Sequence, residues 1–300
     1  MLIKFLGTGS NGGVPQWDCC CPHCARARDN PRYRRTRSSI AVSLDGDDYL
    51  LIDATPDLKF QLEWSGLTPH QGSTSKGYRQ SRIKAVLLTH GHGDHTSGLA
   101  EFSTGKSFNI PVYAPPDLID FLFGTEERIS YFGELGRLSK DYVIPHPLRD
   151  EELNLLEGLR VKGFEVEHTD ILDNGARYPS STYGYELTYD GKRIIYTPDL
   201  GNLSYNLMER ASGADIFVLD ATFWSNDELD RLSGMPITSY DLGHVPMEDS
   251  LEALESVDVG RILYTHINHT NPVNNPHSCE RSLVEERGVK LAHDGMTIEV

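Results

Sequence analysis

Four side chains of the types that bind divalent metals lie within six residues of one another. His90, His92, Asp94 and His95 form the motif T-H-G-H-G-D-H directly after the apolar run 84–88. Imidazole and carboxylate groups are good ligands for such metals, and crowding four of them costs free energy unless a cation offsets it. A polar turn bent by two glycines is the alternative interpretation. The motif, placed after an expected strand, predicts a metal-dependent active site.

The same motif predicts two adjacent cations. Its glycines let the backbone turn, so that His90 and His92 face one ion while Asp94 and His95 face another. A helix over 95–102 is expected to follow, which places these side chains at the carboxyl end of a sheet. Two cations need more than four ligands, so other parts of the chain must supply the rest.

Three further segments end on a residue of the required type. Each is an alternating or apolar run that predicts a strand, and each is followed by a candidate ligand. They are 159–166 before His168, 193–197 before Asp199 and 261–265 before His266. Any one of these would be an ordinary loop residue on its own. Because the placement recurs, we expect all three to join the motif in one site.

In chain order, these ligands resemble the ligand series of the metallo-β-lactamase fold superfamily. Further blocks spread along the chain resemble the pyrroloquinoline quinone biosynthesis protein B family. They are G-T-G-S at 7–10, P-Q-W at 15–17, R-S-S-I-A-V-S at 37–43, P-D-L at 56–58, G-H-V-P at 243–246, H-I-N-H-T-N-P at 266–272 and D-G-M at 294–296. The resemblance, together with two strand-rich halves that each carry helices, predicts one α/β domain over 1–300, a four-layer αββα sandwich.

One departure from that family bears on the chemistry. The biosynthetic proteins usually carry a degraded first motif, whereas all four of its ligands are present here. In this respect the site resembles the cyclic ribose phosphate phosphodiesterase of phosphonate breakdown, which shares the Cys cluster and the T-H-I-x-H segment. The two resemblances together imply a relative of the biosynthetic protein that keeps a hydrolase-type metal centre.

The resemblance also implies a division of the ligands. One metal is held by His90, His92 and His168, the second by Asp94, His95 and His266, and Asp199 bridges them. Mostly neutral ligands leave the ions positive, so a shared water loses its proton near neutral pH and becomes the nucleophile. Zn, Mn and Fe all suit these ligands. Asp53, after the run 49–52, matches an aspartate that orients a ligand or the motif loop; a strand-end turn is an equally good interpretation.

Four of the five cysteines lie together in W-D-C-C-C-P-H-C at 17–24. A disulfide framework is not expected, because neighbouring cysteines pair poorly and no secretion signal is recognisable. The spacing C-x-C-x-x-C suits thiolates that converge on one zinc. The resemblance to the phosphodiesterase implies a structural zinc bound by Cys19, Cys21, Cys24 and His269, in a zinc-binding loop at about 15–37. Cys20 and His23 stay open as replacement ligands, and a metal-free thiol loop is the other interpretation.

His244 is a candidate catalytic residue, together with Asp94. It lies in L-G-H-V-P, before the helix expected over 247–255, and matches the position where hydrolytic relatives carry a histidine that protonates a leaving group. An ordinary loop histidine is the alternative.

Six arginines follow the Cys cluster, at 26, 28, 32, 34, 35 and 37. A solvated, salt-bridged loop is one interpretation. In the other, Arg35 and Arg37 bind the carboxylate or phosphate of an anionic small-molecule substrate beside the metals.

Composition narrows the class of protein. The net charge of −16 disfavours a general nucleic-acid binder, because a phosphate backbone would be repelled. No apolar run of about 18 residues is present, so no membrane span is expected. The sequence predicts a cytoplasmic protein and leaves a homodimer open.

The sequence therefore supports three candidate functions. The first is a dinuclear metallohydrolase that cleaves a phosphodiester or other ester with metal-bound hydroxide. The second, implied by the resemblance, is an iron-dependent oxygenase acting on a tyrosine-derived peptide in pyrroloquinoline quinone biosynthesis. The third is a carrier for the quinone, which a complete ligand set disfavours.

Overall fold

The protein is described by a computed structural model over residues 1–69, 79–104, 109–124, 143–149, 151–168, 181–234 and 236–300. Its strands are β1 (Leu2–Gly7), β2 (Ser39–Ser43), β3 (Tyr49–Ile52), β4 (Ile83–Leu87), β5 (Ile110–Ala114), β6 (Val143–Pro147), β7 (Glu152–Leu155), β8 (Leu159–Val166), β9 (Thr182–Tyr189), β10 (Lys192–Thr197), β11 (Ile216–Asp220), β12 (Arg261–Thr265), β13 (Lys290–Leu291) and β14 (Thr297–Glu299). Its α-helices are α1 (Pro22–Asp29), α2 (Leu58–Trp64), α3 (Gly93–Thr96), α4 (Pro116–Phe123), α5 (Tyr205–Ala211), α6 (Glu228–Ser233), α7 (Met247–Leu254) and α8 (Cys279–Glu286). Short 3-10 segments cover Pro31–Tyr33, Ser97–Thr104 and Pro272–Asn274.

The strands form two seven-stranded sheets. The first has the order β14-β1-β2-β3-β4-β5-β6 and the second the order β13-β12-β11-β10-β9-β8-β7. In each sheet four consecutive strands are parallel, β3 to β6 in the first and β10 to β13 in the second. The carboxyl ends of parallel strands meet at one edge of a sheet, so the loops after these strands converge.

Three buried clusters separate four layers. The cluster between the sheets is formed by alternate residues of both, among them Phe5, Ile52, Tyr196 and Val218. The second, which includes Leu58 and Leu118, packs α2 and α4 on the outer face of the first sheet. The third packs α5, α7 and α8 on the second sheet. The expected αββα sandwich is therefore confirmed.

The strands and helices lie close to their predicted positions, with one difference after the first motif. The helix expected over 95–102 is a short α-helix, α3, followed by the 3-10 segment Ser97–Thr104. At Gly98 this segment approaches the loop after β3 so closely that a Cβ atom would lie 2.0 Å from the carbonyl oxygen of Thr55. The close approach therefore requires glycine at this position.

In the described part of the chain, none of the helices has the length and apolar character that crossing a bilayer requires.

Candidate metal centre

The candidate ligands lie at the ends of strands from both sheets. The motif loop follows β4, and His168, Asp199 and His266 follow β8, β10 and β12. Two of the strand-end residues, Asp53 and His266, have positive φ angles of 66° and 60°. Residues other than glycine adopt this conformation rarely, and it clusters at functional sites. The backbone thus turns sharply where side chains must point between the sheets.

The first group of ligands is His90, His92, His168 and Asp199. Their ligand atoms all lie within 4.8 Å of one another. Oδ1 of Asp199 is 4.0 Å from Nε2 of His90 and 3.9 Å from Nε2 of His168. Nε2 of His90 is also 2.7 Å from Nδ1 of His92. The set predicted for one metal is brought together.

The second group is Asp94, His95 and His266, whose ligand atoms also lie within 4.8 Å of one another. Nε2 of His95 is 3.3 Å from Oδ2 of Asp94, and Nε2 of His266 is 3.5 Å from the same oxygen. Asp199 adjoins this group too, with Oδ2 3.3 Å from His95 and Oδ1 3.4 Å from His266. Its carboxylate therefore lies between the two groups, as a bridging ligand must.

The polar atoms at the centre fit a cation. Oδ1 of Asp94, Nε2 of His168 and Oδ2 of Asp199 are buried and have no hydrogen-bond partner among the described residues. Buried polar atoms are almost always paired, so three unpaired ones facing the same space need an explanation. Bound divalent ions would satisfy all three.

Hydrogen bonds on the outer side of the rings direct the other nitrogens inward. Nδ1 of His95 donates to Oδ2 of Asp53 at 2.8 Å, and Nδ1 of His168 donates to the carbonyl oxygen of Gly243 at 2.7 Å. A carboxylate oxygen and a carbonyl oxygen accept these bonds, so Nδ1 of each ring is the donor and Nε2 is the nitrogen left to face the centre. Asp53 therefore contacts His95, a candidate ligand, as a residue that orients it would.

The charges of the side chains in the centre also favour the binding of cations. Burial lowers the pKa of His90 and His168 well below the usual histidine value and that of His92 to about 3, so these rings are neutral and suited to bind a cation. Burial opposes charge on His95 as well, yet nearby carboxylates, chiefly Asp199, raise its pKa well above the usual value. The second group therefore carries buried negative charge that a divalent ion would neutralise.

A separate group of potential metal ligands comprises Cys19, Cys21, Cys24 and His269, with ligand atoms within 4.8 Å of one another. Sγ of Cys21 is 3.8 Å from Nδ1 of His269. Burial raises the pKa of the Cys24 thiol to about 12, so a cation would be needed to keep it ionised at neutral pH. Cys20 is exposed, and the ring of His23 contacts the carbonyl oxygen of His269 at 2.8 Å rather than joining the set.

His244 lies beside the centre and contacts an aspartate that sequence reasoning missed. Its Nδ1 is 2.6 Å from Oδ2 of Asp220, at the end of β11. One ligand atom of His244 lies within 4.8 Å of ligand atoms of Asp199 and His266. Asp220 ends the run I-F-V-L-D at 216–220, the same placement that marked the other ligands, and this signal could have found it.

The two arginines considered for substrate binding contact the protein itself. Arg35 is buried and donates to Oδ1 of Asn274, Oγ1 of Thr8 and the carbonyl oxygen of Ala292. Arg37 donates to Asp57 and to the carbonyl oxygen of Asn11. Their contact with a substrate stays a prediction, and the interactions shown join the N-terminal loop to its surroundings.

Comparison with known proteins identifies the family. A sequence model of the beta-lactamase superfamily domain matches residues 48–267. Coenzyme PQQ synthesis protein B of Methylobacterium radiotolerans is 35% identical over 313 residues, which cover all of both chains. The chain belongs to the coenzyme PQQ synthesis protein B family. This membership confirms the family resemblance stated from the sequence.

Solved structures support the same relationship for the fold. Zn²⁺-bound PqqB from Methylobacterium extorquens is similar with a TM-score of 0.86 and 34% identity, covering 100% of each chain. A diphosphatase from the PhnP family is similar with a TM-score of 0.71 and 25% identity, covering 100% of this chain and 96% of the other. The PqqB-family fold described here is thus shared with a zinc-binding relative and with a hydrolase.

Proposed function

We propose that this protein is a dinuclear metal-dependent hydrolase that cleaves a phosphodiester or another ester. The observation that carries the proposal is the pair of ligand groups that meet at Asp199, with unpaired buried atoms facing the space between them. His90, His92 and His168 would hold one cation, Asp94, His95 and His266 the other. Zn, Mn and Fe all fit these donors.

Two divalent ions held there would act as Lewis acids and lower the pKa of a water molecule to near neutrality. His244 would protonate the leaving group. Its Nδ1 is 2.6 Å from Oδ2 of Asp220, and this buried carboxylate stabilises the protonated ring and fixes its orientation. Asp94 would help to hold the second cation and so to orient the attacking group.

The thiolate group would bind a structural zinc. Its four candidate ligands would fill the coordination of a zinc ion and leave no open position, which is the pattern of structural rather than catalytic zinc. The proposed zinc would join the N-terminal loop to the segment after His266. A cytoplasmic location, an anionic small-molecule substrate and a homodimer stay predictions.

Metal analysis and an activity screen test the proposal. Protein prepared without chelators should contain two divalent ions in addition to the structural zinc and should hydrolyse bis(p-nitrophenyl) phosphate. Asp199→Asn should lose both activity and one or both of those ions, whereas the exposed Asp190→Asn should retain both. Wild-type protein that repeatedly lacks metal at this centre would refute the proposal.

The full-length similarity to coenzyme PQQ synthesis protein B supports a second candidate. In it, the same residues would hold iron, and the protein would use O₂ to oxygenate a tyrosine-derived peptide during synthesis of the quinone. Oxygen consumption by the iron-loaded protein with such a peptide, without hydrolysis of the phosphodiester, would select this candidate. Binding of pyrroloquinoline quinone without turnover of any substrate would instead indicate a carrier.

A further inference from the structure

Asp53 interacts with two histidines of the centre, one directly and one through a threonine. Its Oδ2 accepts a hydrogen bond from Nδ1 of His95 at 2.8 Å. The same carboxylate accepts the hydroxyl of Thr89 at 3.0 Å and the Thr89 backbone N–H at 2.8 Å. Oγ1 of Thr89 is in turn 2.9 Å from Nδ1 of His90. The carboxylate therefore reaches one ligand from each metal group.

Asp220, at the end of a strand in the other sheet, makes the same pattern. Its Oδ2 is 2.6 Å from Nδ1 of His244, and its Oδ1 accepts the hydroxyl of Thr222 at 2.6 Å. Oγ1 of Thr222 is 2.8 Å from Nδ1 of His266. Asp220 therefore contacts the candidate proton donor, His244, directly, and it is linked to the candidate ligand His266 through the hydroxyl group of Thr222.

The proton count fixes the direction of these bonds once each hydroxyl proton is placed on its aspartate. For Thr222 this is the shorter contact, since Oγ1 is 2.6 Å from Oδ1 of Asp220 and 3.1 Å from the carbonyl oxygen of His266. A threonine hydroxyl has one proton, and a carboxylate oxygen can only accept it. Once Thr89 or Thr222 donates to its aspartate, the facing Nδ1 must be the donor to the hydroxyl oxygen. Nε2 of His90 and of His266 is then left with a lone pair that faces the proposed cations.

We propose that Thr89 and Thr222 are positioning residues. Each hydroxyl donates to an aspartate and accepts a hydrogen bond from Nδ1 of a metal-ligating histidine, and so sets the tautomer and ring orientation of that histidine. The inference rests on the proposed dinuclear centre. It assigns each metal group a hydroxyl of its own, Thr89 for the group of His90 and Thr222 for the group of His266.

Burial makes these two hydroxyl groups hard to replace. Thr89, Asp53 and Asp220 are 0 to 2% exposed and Thr222 is 3% exposed, so bulk water cannot take over a lost contact. Removal of a partner that orients a metal-bound histidine typically weakens metal affinity about 10- to 100-fold. Valine has nearly the shape of threonine and lacks the hydroxyl, whereas serine keeps it.

Metal affinity of threonine variants tests the inference. Apo protein is titrated with Zn²⁺ or Co²⁺ against a chromophoric chelator. We expect Thr89→Val and Thr222→Val each to weaken one of the two active-site binding steps about 10- to 100-fold, and the matching serine variants to restore most of it. Thr265→Val is the control, because this buried hydroxyl contacts Ser38 rather than a histidine. Valine variants that bind as tightly as wild type would overturn the inference.

A spectroscopic measurement on the wild type covers the case in which a valine variant does not fold. In zinc-loaded protein labelled with ¹⁵N-histidine, His90 and His266 should both carry their proton on Nδ1. The opposite tautomer at either residue would overturn the inference. The proposed function fails separately, when wild-type protein binds no cations at this centre.

Discussion

His266 and His269 lie three residues apart in one loop and face two different groups of candidate metal ligands. The backbone between them is hydrogen-bonded to two other segments of the chain. Ile267 donates its backbone N–H to Thr8 and accepts one from Ser10, and the backbone N–H of Asn268 donates to the carbonyl oxygen of Thr222. These contacts fix the short segment that links the two groups of candidate ligands.

The first prediction concerns the zinc at the thiolate group. Cys21→Ser should reduce the zinc content by about one ion per chain, because it removes one of only four ligands. Cys20→Ser is the matched control, since the exposed side chain of Cys20 lies outside the group. Atomic absorption on both variants measures the difference. Equal zinc content in the wild type and Cys21→Ser would exclude this site.

The second prediction concerns His244. His244→Ala should retain the active-site metals and lower kcat about 10²- to 10⁴-fold, the usual contribution of a general acid. The exposed His277→Ala should leave both unchanged and serves as the control. Metal content and steady-state kinetics on a phosphodiester are the measurements. Loss of bound metal from His244→Ala would show instead that this ring is a ligand.

Much of the centre could be predicted from sequence because its ligands follow strands. A strand has a period of two and ends on a turn residue, and this pattern is local. The ends of β4, β8, β10 and β12 could therefore be located, and the fold followed from the family resemblance. The seven proposed ligands meet in the structure as two groups joined at Asp199.

What could not be predicted depends on contacts between distant segments. Thr89 and Thr222 are ordinary threonines in the sequence, and their role appears only when a histidine and an aspartate are brought to either side of each hydroxyl. The arginines after the Cys cluster are the opposite case, in which the sequence pattern is conspicuous but does not reveal the contacts. Their density left both a solvated loop and an anion site open, and the partners of Arg35 come from residues 8, 274 and 292, which no local pattern reveals.

The third prediction follows from the position of Arg35. Arg35→Met should lower the free energy of unfolding by about 1–3 kcal/mol, because it leaves buried acceptors on Thr8, Asn274 and Ala292 without a donor. The exposed Arg32→Met should change it by less than about 0.5 kcal/mol. Urea unfolding of both variants gives the comparison. A raised KM for the first variant with unchanged stability would instead support substrate binding by Arg35.

The fourth prediction is a pH dependence that arises at Glu228. This side chain is 1% exposed and accepts hydrogen bonds from the hydroxyl of Thr270 and the backbone N–H of Trp224. Burial raises its pKa from 4.5 to about 7. Between these two values the folded protein keeps a proton that the unfolded chain has lost, so this residue's contribution to stability falls as the pH rises and is lost above about 7.

Glu228→Gln should remove that decline, and the stability of the variant relative to wild type should increase by on the order of 3 kcal/mol between pH 4 and 8. Urea unfolding across this range measures the difference, with the exposed Glu209→Gln as the control; parallel curves for wild type and Glu228→Gln would contradict the prediction.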